Sequence, residues 1–97
     1  MLTSKQRATL RGIASKLEPV VQIGYKEIGD NLLMQIDGVL DTRELIKISI
    51  LQSSDADPKS LGAEIAGVLN ADVVSVVGRK IVLYRKSTKK GVEHIEF

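Results

Sequence analysis

A glycine turn that follows a short apolar run is the clearest candidate for binding chemistry. Residues 20–23 predict a strand, Gly24 ends it, and a second helix is expected to begin near Asp30. A strand that leads into a helix N-terminus leaves backbone N–H groups free, and the helix dipole adds positive potential, so the turn favours an anion such as a phosphate. Lys26 would add a mobile ammonium group, and Tyr25 a ring on which a base can stack.

The same turn also has a purely structural interpretation. Gly24 would supply a positive φ, Tyr25 would pack on the sheet edge, and Lys26 would be solvated. Glu27 counts against an anion site because its carboxylate repels a phosphate. The residue types leave both interpretations open.

The charged residues are distributed unevenly along the 97-residue chain. Residues 1–26 carry a balance of +4, residues 27–72 carry −6, and residues 73–97 carry +4 again. If the fold brings the two ends together, one face is strongly basic and suits a polyanion. There are two alternatives. Either the charges are simply solvated and scattered over the surface, or the cations near the C-terminus prevent an apolar edge strand from pairing with another chain. The candidate phosphate-binding cations outside the turn are Lys5, Arg7, Arg11, Lys16, Arg79 and Lys80.

Enzyme chemistry has little support in the residue types. The chain has no cysteine, so a thiol nucleophile, a disulfide and a cysteine-based zinc site are all excluded. His94 is the single histidine and is expected to be a solvated side chain. The acids of the middle segment resemble helix caps and solvent-facing residues, and no pair stands out for acid–base catalysis; they are Asp30, Asp37, Asp41 and Glu44. We expect no enzyme activity, no metal, no cofactor and no small-molecule substrate.

The sequence also predicts a cytoplasmic protein without a membrane partner. No apolar run approaches the roughly 18 residues of a membrane-spanning helix. The N-terminal stretch MLTSKQR lacks the apolar core of a signal peptide. The lack of cysteine fits a reducing compartment.

The N-terminal segment predicts a basic amphipathic helix. Thr3 and Gln6 have the spacing of a capping box, and apolar residues recur at helical spacing through residues 4–16. The apolar stripe consists of Leu10, Ile13, Ala14 and Leu17. The four basic residues of this segment are expected to lie off the stripe, where they would face solvent or a ligand.

The remaining segments alternate between strand and helix patterns. The predicted elements are strands at 20–23, 44–51, 72–77 and 80–85, and helices at 30–40 and from Asp57-Pro58 onward. Gly78 and Arg79 join the last two strands in a hairpin. The order α-β-α-β-α-β-β predicts an α/β fold, a compact two-layer sandwich with a four-stranded mixed sheet. Residues 1–86 would form this single domain, and residues 87–97 a polar tail that is partly disordered or a loose edge strand.

Three separated stretches resemble one known family. They are LTSKQRATLRGIASKLEPVVQIG, RELIKISIL and VVSVVGRKIVLYR, within residues 2–86. In this order they resemble the CRM domain, the RNA-binding module named for chloroplast RNA splicing and ribosome maturation, and especially its stand-alone bacterial YhbY-type form. The resemblance implies a sandwich similar to the C-terminal domain of bacterial translation initiation factor three. It also implies RNA binding without catalysis and association with precursors of the large ribosomal subunit.

The loop motif of that family is only half present. The family pattern is GxxG, and this chain has Gly24-Tyr25-Lys26-Glu27, so the second glycine is replaced by an acid. Gly29 is two residues too late and is expected to cap the second helix instead. Either the loop contacts RNA through Tyr25 and Lys26, or affinity comes mainly from the first helix and the hairpin. The resemblance carries over Lys5, Arg7 and Arg11 as the basic helix and Gly24, Tyr25 and Lys26 as the loop.

Two functional hypotheses follow. In the first, the protein is an assembly factor that binds structured ribosomal RNA or its precursor within the large-subunit precursor, with weak and shape-led sequence specificity. In the second, it is a protein-interaction adaptor whose acidic segment 27–72 contacts a ribosomal protein or assembly factor. Charge reversal at Asp37 and Asp41 is expected to separate the two hypotheses.

Overall fold

The computed structural model describes residues 2–24, 29–52 and 57–97. In these ranges the chain forms three helices and four strands in the predicted order, which confirms that part of the sequence analysis. The elements are α1 (Ser4–Ala14), β1 (Val21–Ile23), α2 (Asp30–Arg43), β2 (Leu45–Ile50), α3 (Pro58–Leu69), β3 (Asp72–Val77) and β4 (Lys80–Tyr84).

Local capping signals explain where the helices begin. The Thr3 hydroxyl accepts from the Gln6 backbone N–H at 3.1 Å and the Gln6 side chain accepts from the Thr3 N–H at 3.0 Å, so the predicted capping box is formed. The Asp57 carboxylate caps α3 by accepting from the Ser60 N–H at 3.3 Å. Gly29 is the N-cap of α2, as predicted, although it has no side chain with which to accept a hydrogen bond.

The four strands form one mixed sheet in the order β1-β2-β4-β3. β1 and β2 are parallel, and α2 provides the crossover between them, while β4 is antiparallel to both β2 and β3. Gly78 and Arg79 form a two-residue hairpin turn between the paired residues Val77 and Lys80. Gly78 has a φ of 57° and Arg79 has no positive φ, which is the pattern of a type II′ turn.

Helices pack on both faces of this sheet because its residues alternate between two apolar clusters. The larger cluster joins α2 and α3 to one face; its most deeply buried members are Ile36, Leu40, Ile46, Ile48, Ile65, Ile81 and Leu83. The smaller cluster joins α1 to the other face and consists of Leu10, Ala14, Leu45, Val74, Val82 and Tyr84. The sheet with α2 and α3 therefore forms the predicted sandwich, and α1 adds a helix on the opposite face.

Arg85 connects α2 to the end of β4 and to α3. Its guanidinium donates to the carboxylates of Asp37 at 2.7 Å and Asp41 at 3.1 Å, and to the backbone carbonyl oxygens of Asp37 at 3.0 Å and Leu69 at 2.9 Å. Asp37 and Asp41 were predicted to be solvent-facing or capping acids. The Asp37 side chain is indeed 49% exposed, but the Asp41 side chain is only 26% exposed, and both carboxylates bind Arg85, which was not predicted. One helical turn apart, they lie on the same side of α2 and reach the same cation.

Glu44 was also predicted to face solvent, yet its side chain is fully buried. It ends α2 with a φ of 65°, a conformation that costs a non-glycine residue about 1–3 kcal/mol. Its carboxylate accepts from the backbone N–H groups of Ser87 at 2.6 Å and Ile95 at 2.8 Å. The His94 Nδ1 atom lies 2.5 Å from the same carboxylate. These contacts satisfy the charge that the fold has buried.

The C-terminal segment 87–97 forms neither a helix nor a strand, but it contacts the rest of the fold at several points. Ser87 is buried and donates its hydroxyl to the Asp41 carbonyl oxygen at 2.5 Å. The Phe97 ring meets Tyr84 edge to face, with centroids 5.1 Å apart. The prediction that His94 is simply solvated is wrong, because its ring is bound to Glu44 although 45% of the side chain is exposed.

The environment of Glu44 predicts a specific pH dependence of stability. Burial by itself raises the pKa of Glu44, but the hydrogen bonds from Ser87, His94 and Ile95 outweigh it and hold the pKa below its usual value of 4.5. A carboxylate with a depressed folded-state pKa stabilises the fold fully above the unfolded value of 4.5. That stabilisation is lost as the pH falls through the folded value.

We expect Glu44→Gln to lower the free energy of unfolding at neutral pH by about 1.5–3 kcal/mol, because hydrogen bonds to the charged acceptor are lost. Urea unfolding from neutral pH down to about pH 2 measures the effect, and the gap between variant and wild type should close in acid. Glu64→Gln, at an exposed position of α3, is the matched control and should follow the wild type. Parallel curves for Glu44→Gln and wild type across the whole range would contradict this role.

Candidate functional site

A groove between α1 and the sheet brings together cations from three separate parts of the chain. It encloses about 290 Å³ and lies beside the smaller apolar cluster. The lining residues are Arg11, Ala14 and Ser15 from the α1 region and Lys47, Ser75, Val77, Lys80 and Val82 from the strands. Three of these residues are cationic and none is acidic, so this α1 groove has the charge of an anion-binding site.

Strand register positions the two lysines of the α1 groove. Lys47 pairs with Val82, and Ser49 pairs with Lys80, across the antiparallel β2–β4 ladder. Because alternate residues of a strand share a face, these residues lie on the side covered by α1. The Lys80 Nζ atom donates to the Ser49 hydroxyl at 2.8 Å, which holds the ammonium group over the sheet.

Lys47 is a groove residue that the sequence analysis missed. It lies in the acidic middle segment, within the strand predicted at 44–51, where apolar and polar residues alternate around it. It is half-buried between Ile46 and Ile48, which point into the larger cluster on the other face. The alternation along the strand could have placed Lys47 on the face opposite its apolar neighbours. It could not have predicted that α1 packs on that face and forms a groove with it.

Arg11 and Arg7 were both predicted to lie off the apolar stripe of the first helix. Arg11 is exposed and lines the α1 groove, which supports its selection. The placement of Arg7 was wrong, because it shares the buried row with Leu10 and Ala14 at helical spacing. Arg7 is half-buried, and its Nε atom is shielded from solvent without a hydrogen-bond partner among the described residues.

Lys5 and Lys16 are exposed, but the structure does not bring them into the α1 groove. Lys5 lies on α1 and Lys16 lies after its last residue. These two side chains remain available to a ligand only outside the groove, as part of the exposed surface of α1.

The hairpin tip and the glycine turn meet at one end of the sheet. The Arg79 guanidinium donates to the Leu51 carbonyl oxygen at 3.2 Å, and the Arg79 carbonyl oxygen accepts from the Ile50 N–H at 2.8 Å. The Leu51 N–H donates to the Ile23 carbonyl oxygen at 2.9 Å, directly before Gly24. Gly24, Arg79 and Lys80 therefore lie at the same end of the sheet.

The backbone at Gly24 does not itself require glycine. Its φ lies outside the left-handed region, so the interpretation that Gly24 supplies a positive φ is wrong. A Cβ atom added at Gly24 would lie 3.9 Å from the Leu51 side chain, which is an ordinary van der Waals contact. The predicted loop residues Tyr25 and Lys26, and also Glu27, lie outside the described residues.

The acidic segment lies mainly on the other side of the sheet, where α2 and α3 pack. Asp37 and Asp41 already bind Arg85, so charge reversal there would break an internal ion pair and no longer tests the adaptor hypothesis cleanly. Asp30 and Met34 are better probes, because they line a shallow depression on α2 and the Met34 residue is 71% exposed.

The described residues offer binding groups rather than a set of metal ligands. Across residues 2–24, 29–52 and 57–97, no group of three or more histidine, cysteine or acidic side chains is placed to hold a metal ion. None of the helices in these ranges is both long and apolar enough to span a membrane.

Known proteins from several bacteria are similar to this chain. A Bacillus subtilis protein named "Probable RNA-binding protein YqeI" is 38% identical over 87 residues, which cover 90% of this chain and 91% of that relative. An "RNA-binding protein" of Haemophilus influenzae is 29% identical over 92 residues, which cover 95% of this chain and 93% of the relative. The solution structure of SAV1595 from Staphylococcus aureus, described as "a putative RNA binding protein", matches with a TM-score of 0.79 and 38% identity, covering 98% of this chain and all of that one.

The family model gives the same result for nearly the whole sequence. The model described as the CRS1 / YhbY (CRM) domain matches residues 2–85, which include every helix and strand of the fold. This range also contains Arg11, Gly24, Lys47 and Lys80. The chain therefore belongs to the CRS1 / YhbY (CRM) domain family.

Proposed function

We propose that this protein binds RNA through the α1 groove and the Gly24 end of the sheet. The observation that carries the proposal is the convergence of Arg11, Lys47 and Lys80 in one groove with no acid among its lining residues. Cations arranged in this way neutralise backbone phosphates and release counterions, which supplies most of the affinity for a nucleic acid. The relatives described as RNA-binding proteins favour RNA over other polyanions.

The groove chemistry suits recognition of the RNA backbone. The Lys80 ammonium is already held by Ser49, so less side-chain freedom is lost when it meets a phosphate. Ser75 adds a hydroxyl group that can donate to or accept from a ribose 2′-hydroxyl, and the Ser15 hydroxyl, whose proton is donated to the Gly12 carbonyl oxygen, can accept from one. Because most of these groups contact phosphate and sugar, we expect modest sequence specificity that depends on RNA shape.

We further propose that the RNA is precursor ribosomal RNA and that the protein acts in the cytoplasm as an assembly factor for the large ribosomal subunit. The support is the family resemblance together with the small size of the domain, which offers one basic face and no described constellation for catalysis. A protein-interaction adaptor is the second candidate. It is favoured by the exposed Met34 beside Asp30 on α2, an apolar and acidic pair that suits a basic protein partner.

Salt dependence tests the groove as an RNA site. The wild-type association constant for a structured RNA should fall as the salt concentration rises, with a slope of about −3 to −5 when its logarithm is plotted against the logarithm of the salt concentration. Arg11→Gln or Lys47→Gln should each reduce the magnitude of this slope by about one unit. Fluorescence anisotropy with a labelled RNA hairpin across a salt series measures both slopes. Lys59→Gln, at an exposed position of α3 away from the groove, is the matched control and should leave the slope unchanged. A wild-type affinity that does not depend on salt would contradict the proposal.

Gly24 provides a second test, because its substitution separates stability from binding. We expect Gly24→Ala to change the free energy of unfolding by less than about 0.5 kcal/mol, since among the described residues the added Cβ meets only the Leu51 side chain, at an ordinary distance. RNA affinity should nevertheless fall several-fold if the RNA backbone approaches this turn closely. Gly67→Ala in α3 is the control for binding, because it should stabilise the helix by up to about 1 kcal/mol and leave RNA affinity unchanged. Unchanged RNA affinity in Gly24→Ala would show that the contact lies elsewhere.

The ribosomal role requires a cellular measurement. Tagged wild-type protein recovered from gently lysed cells should enrich precursor RNA of the large subunit, and an Arg11→Glu, Lys47→Glu variant should lose this enrichment. If only unrelated RNA is enriched, the proposal of RNA binding still holds but the proposed ribosomal role is contradicted. Enrichment that survives the groove variant but is lost in an Asp30→Lys, Met34→Lys variant would favour the adaptor.

A further inference from the structure

The floor of the α1 groove is apolar, although its rim is cationic. Val77 is 72% exposed and lines the groove together with Val82 and Ala14. A surface that only follows phosphates has no need of exposed valine, because phosphate and ribose oxygens gain nothing from apolar contact. The floor therefore indicates that an apolar part of the ligand enters the groove.

A β-bulge creates this floor. The register of β3 against β4 shifts between Val73 and Ser75, so that two successive residues, Val74 and Ser75, lie on the α1 face. Beyond the bulge the alternation is inverted, which turns Val76 toward the larger cluster and Val77 toward the groove. Without the bulge, Val77 would lie on the other face of the sheet.

The size and walls of the groove restrict what can enter it. Its volume of about 290 Å³ is near the lower end of roughly 300–1,000 Å³ for sites that hold a small molecule. α1 forms one wall, with Arg11 and Ser15, and the strands form the floor. A base that remains stacked inside a duplex does not reach such a floor, whereas an unpaired nucleotide does.

We propose that the α1 groove holds a single unpaired nucleotide of RNA, with its base against the exposed side chain of Val77 and its phosphates at Lys47 and Lys80. The Arg11 guanidinium is planar and can stack on the exposed side of the base, a role that aromatic rings perform in other RNA-binding modules. The two aromatic residues of the described chain are engaged elsewhere, since Tyr84 is buried and packs against Phe97. The inference rests on the proposed RNA binding and adds the kind of RNA that is recognised.

Charge and polarity together favour a nucleotide over other occupants. A nucleotide offers one flat apolar surface and an adjacent negative charge, which matches the valine floor and the three cations. The Ser75 hydroxyl can donate to or accept from the sugar or the base edge, whereas the Ser15 hydroxyl, which donates to the Gly12 carbonyl oxygen at 2.7 Å, can accept. Free inorganic phosphate would satisfy the rim and leave the floor exposed.

Three hairpin RNAs that differ at one position test the inference. One carries a single bulged nucleotide, the second carries the same bulge without its base, and the third is fully paired. Wild-type protein should bind the bulged RNA about 5- to 100-fold more tightly than the other two, the range that stacking of one base provides. Val77→Asn should abolish this preference, so that the variant binds all three RNAs with similar affinity.

Control variants keep the test specific. Val77→Leu should retain the preference because it preserves the apolar floor, and Val68→Asn, at a 59% exposed position of α3, should behave as wild type. Urea unfolding of Val77→Asn confirms that the variant is folded. Equal wild-type affinity for the bulged and base-free RNAs would overturn the nucleotide site and leave RNA binding intact. No measurable binding to any of the three RNAs would overturn the proposed function as well.

Discussion

The buried carboxylate of Glu44 is the interaction on which the arrangement of this domain depends. It lies where α2 ends and β2 begins, and it accepts backbone hydrogen bonds from Ser87 and Ile95. An isolated buried charge is costly, so the donors that the C-terminal segment supplies stabilise the fold. Next along the chain, Leu45 begins β2 in register with Tyr84. The same register then decides the face of every later residue of the strand, because a shift by one residue would turn Lys47 and Ser49 into the larger cluster.

The sheet separates two surfaces of opposite charge. Arg11, Lys47 and Lys80 meet on the α1 side, whereas Asp37 and Asp41 lie with Arg85 on the α2 side. Cations of similar type therefore have different roles. Arg85 donates its hydrogen bonds to acceptors within the protein, whereas no acidic residue lines the groove that contains the other cations. Because of this separation, one face of the protein can attract a polyanion although the net charge of the whole chain is small.

The groove and the glycine turn are parts of one surface because the hairpin tip links them. Arg79 binds the backbone at the end of β2, beside Gly24, and the next residue, Lys80, lines the α1 groove. The bulge in β3 adds Val77 to this surface, so that cationic and apolar side chains lie side by side. A ligand that follows this path would meet fixed groups, because Lys80 is held by Ser49 and the hairpin is held by its turn.

The sequence by itself determined the elements and their order, because the signals for them are local. The capping box at Thr3, the cap at Asp57 and the glycine of the hairpin turn act within a few residues of the elements they start or join. The uneven charge along the chain, which is visible in the sequence, pointed to Arg11 and Lys80, and the structure brings both into the α1 groove.

Only the tertiary structure decided the burial of Glu44, the place of Arg7 on the inner side of α1 and the role of Lys47. The partners of Glu44 lie 43 and 51 residues away in the chain, and no local periodicity encodes which distant backbone groups meet a given side chain. Lys47 and Val77 face the groove because of strand register and a bulge, which are properties of two paired strands rather than of either strand alone.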